Sequence, residues 1–407
     1  MLPTAAYRFL TPLRAFSGLI EHNLAMTIEL VHVSRCWCGS QRMSTFADHY
    51  LRCKDCGTLI NSPRLPDRCF SVGDDERHFY NKHYWFAYQR ERHGLPDIVQ
   101  RARNDLAERC LYWLDTIFRY KRPPGRSLEI GCSHGGFVAL MKMAGFDAMG
   151  VELSPWVADY AAQTFSVPVH CGTLTDLEIK PESMDCVILM DVLEHLPDPK
   201  ATMCAIARAL KPDGIVVIQT PCYRDNGPSW DMLIDQEHLF LFTEDGLRRL
   251  LAQVGLSHVA VTPHLFPHDM FLIAGTSPLT ESSREEIDAS LLDTLDGRRL
   301  LALFDLYGRL RVSAEQLETV EADRAARLVV IEEQGRRLGT LEGERNVLQA
   351  QLGTLQQQMS KVQVEKERAL QALLAISRTR AYRLLRRLRR WKWVEQILAQ
   401  ASPDSPA

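Results

Sequence analysis

The sequence has no run of about 18 or more apolar residues, so a membrane-spanning helix is not expected. It also lacks an excess of basic charge, and its formal net charge of −3 predicts no overall attraction to nucleic acid. Residues 1–25 lack a continuous apolar core and a clean cleavage site, so a signal peptide is not expected. The sequence leaves open whether the chain starts at Met1 or Met26.

A secreted disulfide framework is absent as well. The chain has 11 cysteines, and several of them lie in apolar stretches that predict strands and helices. These are Cys132, Cys171, Cys186 and Cys204. Cysteines scattered in this way favour a reducing environment, so we expect a cytoplasmic protein.

The length of 407 residues suffices for two or three domains, and the 46% hydrophobic composition predicts a globular body. Composition and motifs divide the chain into a poorly defined start (1–30), a cysteine module (31–66), an aromatic and helical lead-in (67–126), an α/β domain (127–276), a helical arm (284–376), a basic amphipathic segment (377–398) and a tail expected to be disordered (399–407).

Two close cysteine pairs, each followed by glycine, mark the cysteine module. They are Cys36 and Cys38, then Cys53 and Cys56. Glycine lets backbone N–H groups turn toward the sulfur atoms, and four thiolates complete a tetrahedral zinc site of the structural kind. A module this short buries little core, so Zn²⁺ would supply much of its folding free energy. The first pair is C-x-C rather than the usual C-x-x-C, and four free thiols are the alternative.

A predicted strand, a glycine turn and the start of a helix follow one another at residues 127–143. The turn has the pattern Glu129-x-Gly131-x-Ser133-x-Gly135. Glycine lets the backbone approach a ligand closely, and the helix N-terminus offers unpaired N–H groups. The spacing differs from the G-x-G-x-x-G of dinucleotide sites. It resembles motif I of the class I S-adenosylmethionine (SAM) methyltransferases, with Ser133 in place of the middle glycine.

Further SAM-binding positions follow the turn. Glu152 ends the next predicted strand about twenty residues on, where an acidic side chain can accept both hydroxyls of a ribose. In the family, the turn after the third strand lies beside the adenine. The resemblance implies backbone contacts at Thr173 and Leu174, with Asp176 as a weaker candidate. Met190 ends the fourth strand and is expected to border SAM.

Residues 191–199 resemble the D-V-L-E-H-L-x-D-P segment of the ubiquinone/glycan-type methyltransferases almost residue for residue. Residues 235–243 resemble the E-H-x-x-x-F-T segment, which closes over the acceptor side of the pocket in that family. A hydroxyl acceptor needs a base near neutral pH, and we expect His195 or His238 to serve, with Asp191 orienting it. Helix capping and packing are the alternative for Glu194 and His195.

Strand and helix patterns alternate over residues 127–276 and end in an antiparallel hairpin. We therefore expect an α/β fold with a Rossmann-like seven-stranded class I methyltransferase sheet, preceded by a small zinc ribbon and followed by a long α-helical coiled coil. The resemblance covers roughly residues 31–276, because such a ribbon precedes the domain in bacterial sugar and cell-surface-glycan methyltransferases. In the lead-in, Tyr80, Tyr84 and Trp85 form either a lid over SAM or packing against the domain.

Apolar residues of the arm recur at alternating steps of three and four from Leu338 to Ile376. Sustained heptads predict a coiled coil, and therefore self-association of the chain. Four glycines between residues 335 and 353 lower helix propensity and predict a loose start. The alternative is a single helix folded back on the α/β domain.

Residues 377–398 combine an apolar face that carries tryptophan with a face rich in arginine. A basic amphipathic helix suits an anionic membrane surface, so we expect peripheral contact with the inner face of the cytoplasmic membrane. A helix of a partner protein is one alternative. Nucleic acid is not expected, because the aromatic side chains lie mainly on the apolar face.

These patterns predict a SAM-dependent methyltransferase that O-methylates a sugar or a cell-surface glycan of the lipopolysaccharide or O-antigen kind. One alternative is methylation of a soluble nucleotide-sugar or a quinone-like small molecule, and another is a non-catalytic coiled-coil scaffold with a degenerate methyltransferase domain. Ribosomal RNA methyltransferases also pair a ribbon with this fold, but the body of this chain is not basic. No metal-ligating cluster beyond the four cysteines is evident in the sequence, so metal-assisted transfer is not expected.

Overall fold

The computed structural model describes residues 29–71 and 79–381, together with residues 383, 393 and 396. Most of the predicted segments 1–30 and 377–398, and all of the tail 399–407, lie outside these residues. The chain divides into two units, residues 1–311 and 312–407. None of the described helices combines the length and the apolar character that a membrane crossing requires.

The described strands are β1 (Met43–Ala47), β2 (Tyr50–Cys53), β3 (Leu59–Asn61), β4 (Gly125–Ile130), β5 (Phe146–Glu152), β6 (Val169–Cys171), β7 (Met184–Met190), β8 (Leu210–Pro221), β9 (Phe240–Leu241), β10 (His258–Thr262) and β11 (Asp269–Gly275). The described helices are α1 (Gln89–His93), α2 (Ile98–Asp105), α3 (Leu111–Phe118), α4 (Gly136–Ala144), α5 (Pro155–Phe165), α6 (Pro199–Ala209), α7 (Glu244–Gln253), α8 (Arg284–Leu292) and α9 (Leu295–Ser377). Turns of π-helix at Tyr84–Tyr88 and Leu106–Cys110 precede α1 and α3.

A seven-stranded sheet lies at the centre of the first unit, in the order β10-β11-β8-β7-β4-β5-β6. Strands β8, β7, β4, β5 and β6 run parallel, and β11 pairs antiparallel with both β8 and β10. This confirms the predicted α/β class, the seven-stranded methyltransferase-type sheet and its final hairpin. The chain order reverses between β4 and β7, so the carboxyl ends of these strands border the crevice where open α/β sheets bind ligands.

Alternate side chains of the central strands supply two hydrophobic cores, one on each face of the sheet. Val187 and Ile218 belong to one cluster, whereas Ile188 and Val217 belong to the other. This alternation is expected where both faces of a sheet are covered. The first cluster includes residues of the cysteine module, α6 and α7. The second includes residues of α3, α4, α8 and the start of α9.

The cysteine module forms a small antiparallel sheet from β1, β2 and β3. The fourth strand of this sheet is β9, which comes from the segment between β8 and α7. Leu59 pairs with Leu241, and Ile60 pairs with Phe240. The module therefore shares hydrogen-bonded sheet structure with the chain that crosses the acceptor side of the predicted pocket.

Two helix starts of the α/β domain differ in their capping. Thr243 precedes α7, and its hydroxyl accepts the N–H of Gly246 at 3.0 Å. Ser154 precedes α5, but its hydroxyl makes no capping bond. The N–H of Ser154 instead donates to Glu152 at 3.0 Å. That bond ties the start of α5 to the end of β5.

Helix α9 is continuous over 83 residues. The predicted loosening at Gly335, Gly339, Gly343 and Gly353 is not seen, because strong helix formers such as Arg, Leu and Glu surround these glycines. Its heptad side chains are each more than half exposed within the described residues: Leu338, Leu341, Leu348, Leu352, Leu355, Met359 and Val362. The coiled coil stays a prediction.

Candidate functional site

A cavity of about 800 Å³ opens at the carboxyl ends of β4, β5 and β7. Ten of the predicted site residues line it: Glu129, Gly131, Ser133, Glu152, Thr173, Leu174, Met190, Asp191, His195 and His238. Gly135 lies behind them at the start of α4. Pockets of roughly 300–1,000 Å³ hold small molecules and cofactors, so this one has room for SAM together with an acceptor group.

The glycine turn needs small residues because its backbone has positive φ angles and because neighbouring side chains lie close to it. Gly131 has a φ of +67°, and a Cβ there would lie 2.6 Å from Cγ2 of Val192. Gly135 has a φ of +79°, and a Cβ there would lie 2.8 Å from Cβ of Ala161 on α5. Ser133 occupies the left-handed region with a φ of 47°. A small polar residue tolerates this conformation at some cost, so the turn keeps its shape without the middle glycine.

The carboxylate of Glu152 binds the backbone of the glycine turn. Its Oε2 accepts the N–H of Ser133 and its Oε1 accepts the N–H of Ser154, each at 3.0 Å. The side chain is buried, and burial raises the pKa of Glu152 while the backbone N–H groups oppose that rise. Each carboxylate oxygen keeps a further lone pair, so Glu152 can still accept hydrogen bonds from the two hydroxyls of a ribose.

Four buried polar atoms at the cavity have no hydrogen-bond partner within the described chain. They are Oε2 of Glu129, Oγ of Ser133, the hydroxyl of Tyr80 and Nε1 of Trp85. Burial and the nearby Glu152 raise the pKa of Glu129 well above its ordinary value. Buried polar atoms are seldom left unpaired, so this cluster fits a polar, cationic ligand such as SAM.

The turn predicted to border adenine is held by its own side chains. The carboxylate of Asp176 accepts both the N–H of Thr173 at 2.8 Å and its hydroxyl at 2.6 Å. Asp176 is therefore engaged in shaping the turn. The side chain of Leu174 is buried and lines the cavity, where it offers an apolar surface to a planar ring.

The two predicted histidines lie side by side, with ring centroids 5.1 Å apart. Nδ1 of His195 lies 2.7 Å from the carbonyl oxygen of Glu237, and Nδ1 of His238 lies 2.8 Å from that of Met232. A carbonyl only accepts, so each Nδ1 carries the proton and each Nε2 has a free lone pair. Burial lowers the pKa of His195, and burial together with His195 lowers the pKa of His238 to about 3. Both rings are neutral at pH 7.

The histidines are oriented by these carbonyl groups rather than by Asp191, which had been the predicted partner. Asp191 instead accepts a hydrogen bond from Nε2 of Gln219 at 3.0 Å and lies 3.5 Å from Nη1 of Arg109. Asp191 follows the end of β7 and has a φ of 56°, in the left-handed region. Asp191 therefore lines the cavity as part of a polar group with Arg109 and Gln219.

Glu194, for which the sequence suggested only capping and packing, also lines the cavity. It is 1% exposed, and its Oε2 accepts the hydroxyl of Thr220 at 2.8 Å. Its Oε1 lies 3.8 Å from Nε2 of His195. Ligand-type atoms of Glu194, His195 and His238 all lie within 4.8 Å of one another. This grouping is not evident in the sequence, because folding joins two neighbouring residues to a distant histidine.

Glu237 was also missed, although it joins the aromatic lead-in to the histidines. Its carboxylate accepts the hydroxyl of Tyr84 at 2.6 Å and lies 3.0 Å from Nε2 of His93. Burial alone would raise the pKa of Glu237, but His93 and the nearby histidines hold it below its ordinary range. Tyr80, Tyr84 and Trp85 therefore pack in or against the hydrophobic core and also line the cavity.

The histidine loop, residues 232–238, is held by the cysteine module. The hydroxyl of Tyr50 lies 2.9 Å from the carbonyl oxygens of both Ile234 and His238. Nδ2 of Asn61 donates to Asp235 at 2.7 Å, and Oε1 of Gln236 accepts a backbone N–H of the module at 2.6 Å. The module therefore fixes the backbone on which His238 stands.

The four module cysteines converge as the sequence predicted. Sγ of Cys36 lies 3.5 Å from that of Cys56, and Sγ of Cys38 lies 3.7 Å from that of Cys53. Four sulfur atoms at about 2.3 Å from one zinc ion stand roughly 3.8 Å apart, so these distances fit a tetrahedral site. Gly39 and Gly57, with φ of 89° and 75°, turn the chain after each pair.

Comparison with known proteins agrees with this geometry. Residues 100–261 match a family model described as a methyltransferase domain. The ubiquinone biosynthesis O-methyltransferase of Chromobacterium violaceum is 32% identical over 114 residues, which are 26% of this chain and 49% of that protein. The protein of the same name from Neisseria meningitidis serogroup A is 29% identical over 130 residues, 30% of this chain and 54% of that protein. The chain thus spans about half the length of these relatives.

Among solved structures, a SAM-dependent methyltransferase from Archaeoglobus fulgidus aligns with 47% of this chain and 99% of its own, at 18% identity and a TM-score of 0.37.

Proposed function

We propose that the protein uses residues 100–261, which match the model of a methyltransferase domain, to transfer the methyl group of SAM to a hydroxyl group. The observation that supports this most directly is the cavity itself. It combines a glycine turn, the buried carboxylates Glu129 and Glu152, and the two neutral histidines. One end of the cavity suits the binding of SAM, and the other suits the activation of an acceptor.

Different groups would hold the different parts of SAM. Glu152 accepts the ribose hydroxyls, and the unpaired oxygen of Glu129 faces the ammonium group of the methionine part. Leu174 and the backbone at Thr173 contact the adenine, and Met190 borders the reacting end. The N-terminus of α4, which follows Gly135, favours the methionine carboxylate.

SAM supplies a methyl group on a sulfonium, so the acceptor oxygen gains a C–O bond while the C–S bond breaks and leaves its electron pair on sulfur. The chain must align the two molecules and withdraw the proton of the acceptor hydroxyl. His195 and His238 present lone pairs at Nε2 for this task, and their carbonyl partners fix the rings. Alignment within one cavity contributes a large part of the rate.

Calorimetric titration of SAM tests the binding half of the proposal. We expect Glu152→Ala to weaken SAM binding at least about tenfold, since a hydrogen bond to a charged group is worth roughly 1.5–3 kcal/mol and 1.4 kcal/mol is a factor of ten. Glu178→Ala removes an exposed glutamate nearby and serves as the matched control. A folded wild-type protein that binds no SAM would favour the scaffold hypothesis.

We propose that the acceptor is a sugar hydroxyl, as in a cell-surface glycan. Beyond the end of β7 the cavity is lined by Trp230 and Phe266 beside Arg109, Asp191 and Asp269. Aromatic rings suit the apolar face of a sugar ring, and carboxylates and a guanidinium suit its hydroxyls. A nucleotide-sugar satisfies the same contacts.

A quinone-like phenol is the second candidate, because the relatives described above are named ubiquinone biosynthesis O-methyltransferases. Transfer of labelled methyl groups from SAM to a panel of glycans, nucleotide-sugars and catechols separates the candidates. Methylation of glycans or nucleotide-sugars supports the sugar proposal, and methylation of catechols alone contradicts it.

We propose that the four cysteines bind structural Zn²⁺.

We propose that residues 338–376 mediate self-association. The exposed heptad stripe of α9 supports this proposal, because a polar helix with one apolar stripe gains stability by burying it against another chain. Sedimentation should show a smaller species for Leu348→Glu with Leu352→Glu than for the wild type. Gln357→Glu, on the opposite side of the heptad, should not change the species.

The proposed location is the cytoplasm, with residues 377–398 contacting the inner face of the cytoplasmic membrane. This proposal depends on the alternation of arginine and apolar residues in the sequence. Pelleting of the full chain with anionic vesicles, but not with neutral ones, is the expected result. A nucleic-acid partner is not proposed.

A further inference from the structure

Glu194, His195 and His238 bring three metal-ligating side chains to the wall of the cavity. Their ligand-type atoms all lie within 4.8 Å of one another. Ligands bound at about 2.0–2.2 Å to one transition-metal ion stand roughly 3–4 Å apart, so modest side-chain rotations would complete the site. We propose that these three residues, here called the His-His-Glu triad, bind a divalent transition-metal ion that contacts the acceptor hydroxyl.

The atoms that face the site are the ones a metal requires. Because Nδ1 of each histidine is bonded to a carbonyl oxygen, Nε2 is the nitrogen left to bind. Nε2 of His195 already lies 3.8 Å from Oε1 of Glu194. With the ring protons on Nδ1, both Nε2 atoms have a lone pair available for a metal ion.

A supporting shell surrounds all three ligands. Histidine ligands almost always donate their second ring N–H to a carbonyl or a carboxylate, as His195 does to Glu237 and His238 does to Met232. Glu194 is likewise oriented by the hydroxyl of Thr220 at 2.8 Å. Tyr50 then fixes the backbone of His238. Such second contacts fix ring orientation and ligand direction, which is what a metal site requires.

The donor set indicates the class of ion. Two imidazoles and one carboxylate suit Zn²⁺, Mn²⁺ or Fe²⁺, whereas Mg²⁺ and Ca²⁺ prefer oxygen ligands. Three protein ligands leave positions open, in contrast to the closed set of four cysteines. Because the triad lines the cavity, those positions face an incoming acceptor.

This inference rests on the proposed function for its role in catalysis. An ion at the triad would bind the acceptor oxygen and lower the pKa of its hydroxyl, whose proton then passes to water. The oxygen would attack the methyl carbon as the C–S bond breaks toward sulfur. His195 and His238 would then act as ligands, and direct proton transfer to an uncoordinated Nε2 is the competing arrangement.

The test is the metal content of the full-length protein after equilibration with ZnCl2 and removal of excess zinc. We expect the wild type to hold one more zinc ion per chain than either Glu194→Gln or His238→Gln. His268→Gln removes another histidine of the same cavity and should keep the wild-type content. Thr220→Val keeps all three ligands and should weaken zinc binding at this site by about 10–100-fold.

Circular dichroism and SAM titration of each preparation distinguish loss of the metal site from misfolding and from failure of the proposed function. Retained SAM binding shows that a variant is folded and that the SAM-binding part of the proposed function stands, because Glu129 and Glu152 lie outside the triad. Equal zinc content in wild type, Glu194→Gln and His238→Gln, or an equal loss in His268→Gln, would overturn the metal site. Equal zinc content in the wild type and the two ligand variants would mean that the histidines act as proton acceptors instead. Failure of the wild type to bind SAM would refute the proposed function.

Discussion

Replacing Tyr50 by phenylalanine tests whether the cysteine module fixes the histidine loop. The ring is 2% exposed, and its hydroxyl lies 2.9 Å from the carbonyl oxygens of Ile234 and His238. The Ile234 carbonyl keeps the N–H of His238 as a donor at 2.9 Å, whereas the His238 carbonyl loses the hydroxyl. Loss of one buried hydrogen bond, with a carbonyl left underpaired, costs roughly 1–3 kcal/mol.

That cost corresponds to roughly a 5- to 150-fold change in a local opening equilibrium. Hydrogen exchange measured by mass spectrometry should therefore accelerate by this order for the amides of residues 237–239 in Tyr50→Phe. The affinity for SAM should stay unchanged, because Glu129 and Glu152 lie on other strands.

Tyr120→Phe is the matched control, since it removes a hydroxyl hydrogen bond to Glu281 at an exposed position. Its exchange over residues 237–239 should equal that of the wild type. Unchanged exchange in Tyr50→Phe, or an equal acceleration in both variants, would refute the claim that the module holds the loop.

Two further predictions concern stability. Gly135→Ala should lower the midpoint of thermal unfolding more than Gly94→Ala, because both positions have positive φ but only Gly135 would place its Cβ 2.8 Å from Ala161. The left-handed strain of about 1–2 kcal/mol is common to both variants, so equal losses would exclude the clash. Asp269→Asn should flatten the pH dependence of unfolding. Burial, with Asp191 nearby, raises the pKa of Asp269 from 3.8 to about 8. Between these values the native chain keeps a proton that the unfolded chain has lost, so wild-type stability falls as pH rises. Urea midpoints at pH 5 and pH 8 check this, and equal slopes for both proteins would contradict it.

Those parts of the fold that depend on local pattern could be predicted from the sequence. The glycine turn, the acid at the end of β5 and the alternation of strands and helices each occupy a short stretch. The seven-stranded sheet followed from them, and ten of the residues that line the cavity were predicted. The cluster of four cysteines could also be predicted, because two cysteine pairs that are each followed by glycine suggest that the four side chains converge.

What could not be predicted depends on contacts between distant segments. β9 has two residues and no pattern of its own, and it exists because β3 offers it a pairing edge. Glu237 gives no sign in sequence that it will accept Tyr84 and lie beside His93. The carbonyl groups that orient His195 and His238 belong to backbone at Glu237 and Met232, and backbone partners leave no trace in residue type.

The cysteine module consequently bears on the site without touching the reacting groups. A closed set of four cysteines has no open position for catalysis, so its direct contribution is stability. Yet β9, Tyr50 and Asn61 connect the module to the histidine loop through hydrogen bonds. A module this small would draw much of its folding free energy from the proposed zinc ion. Zinc binding there would then be linked to the ordering of His238, and each would stabilise the other. Such a linkage would give a physical reason why the module precedes the domain and pairs with a strand from beyond β8.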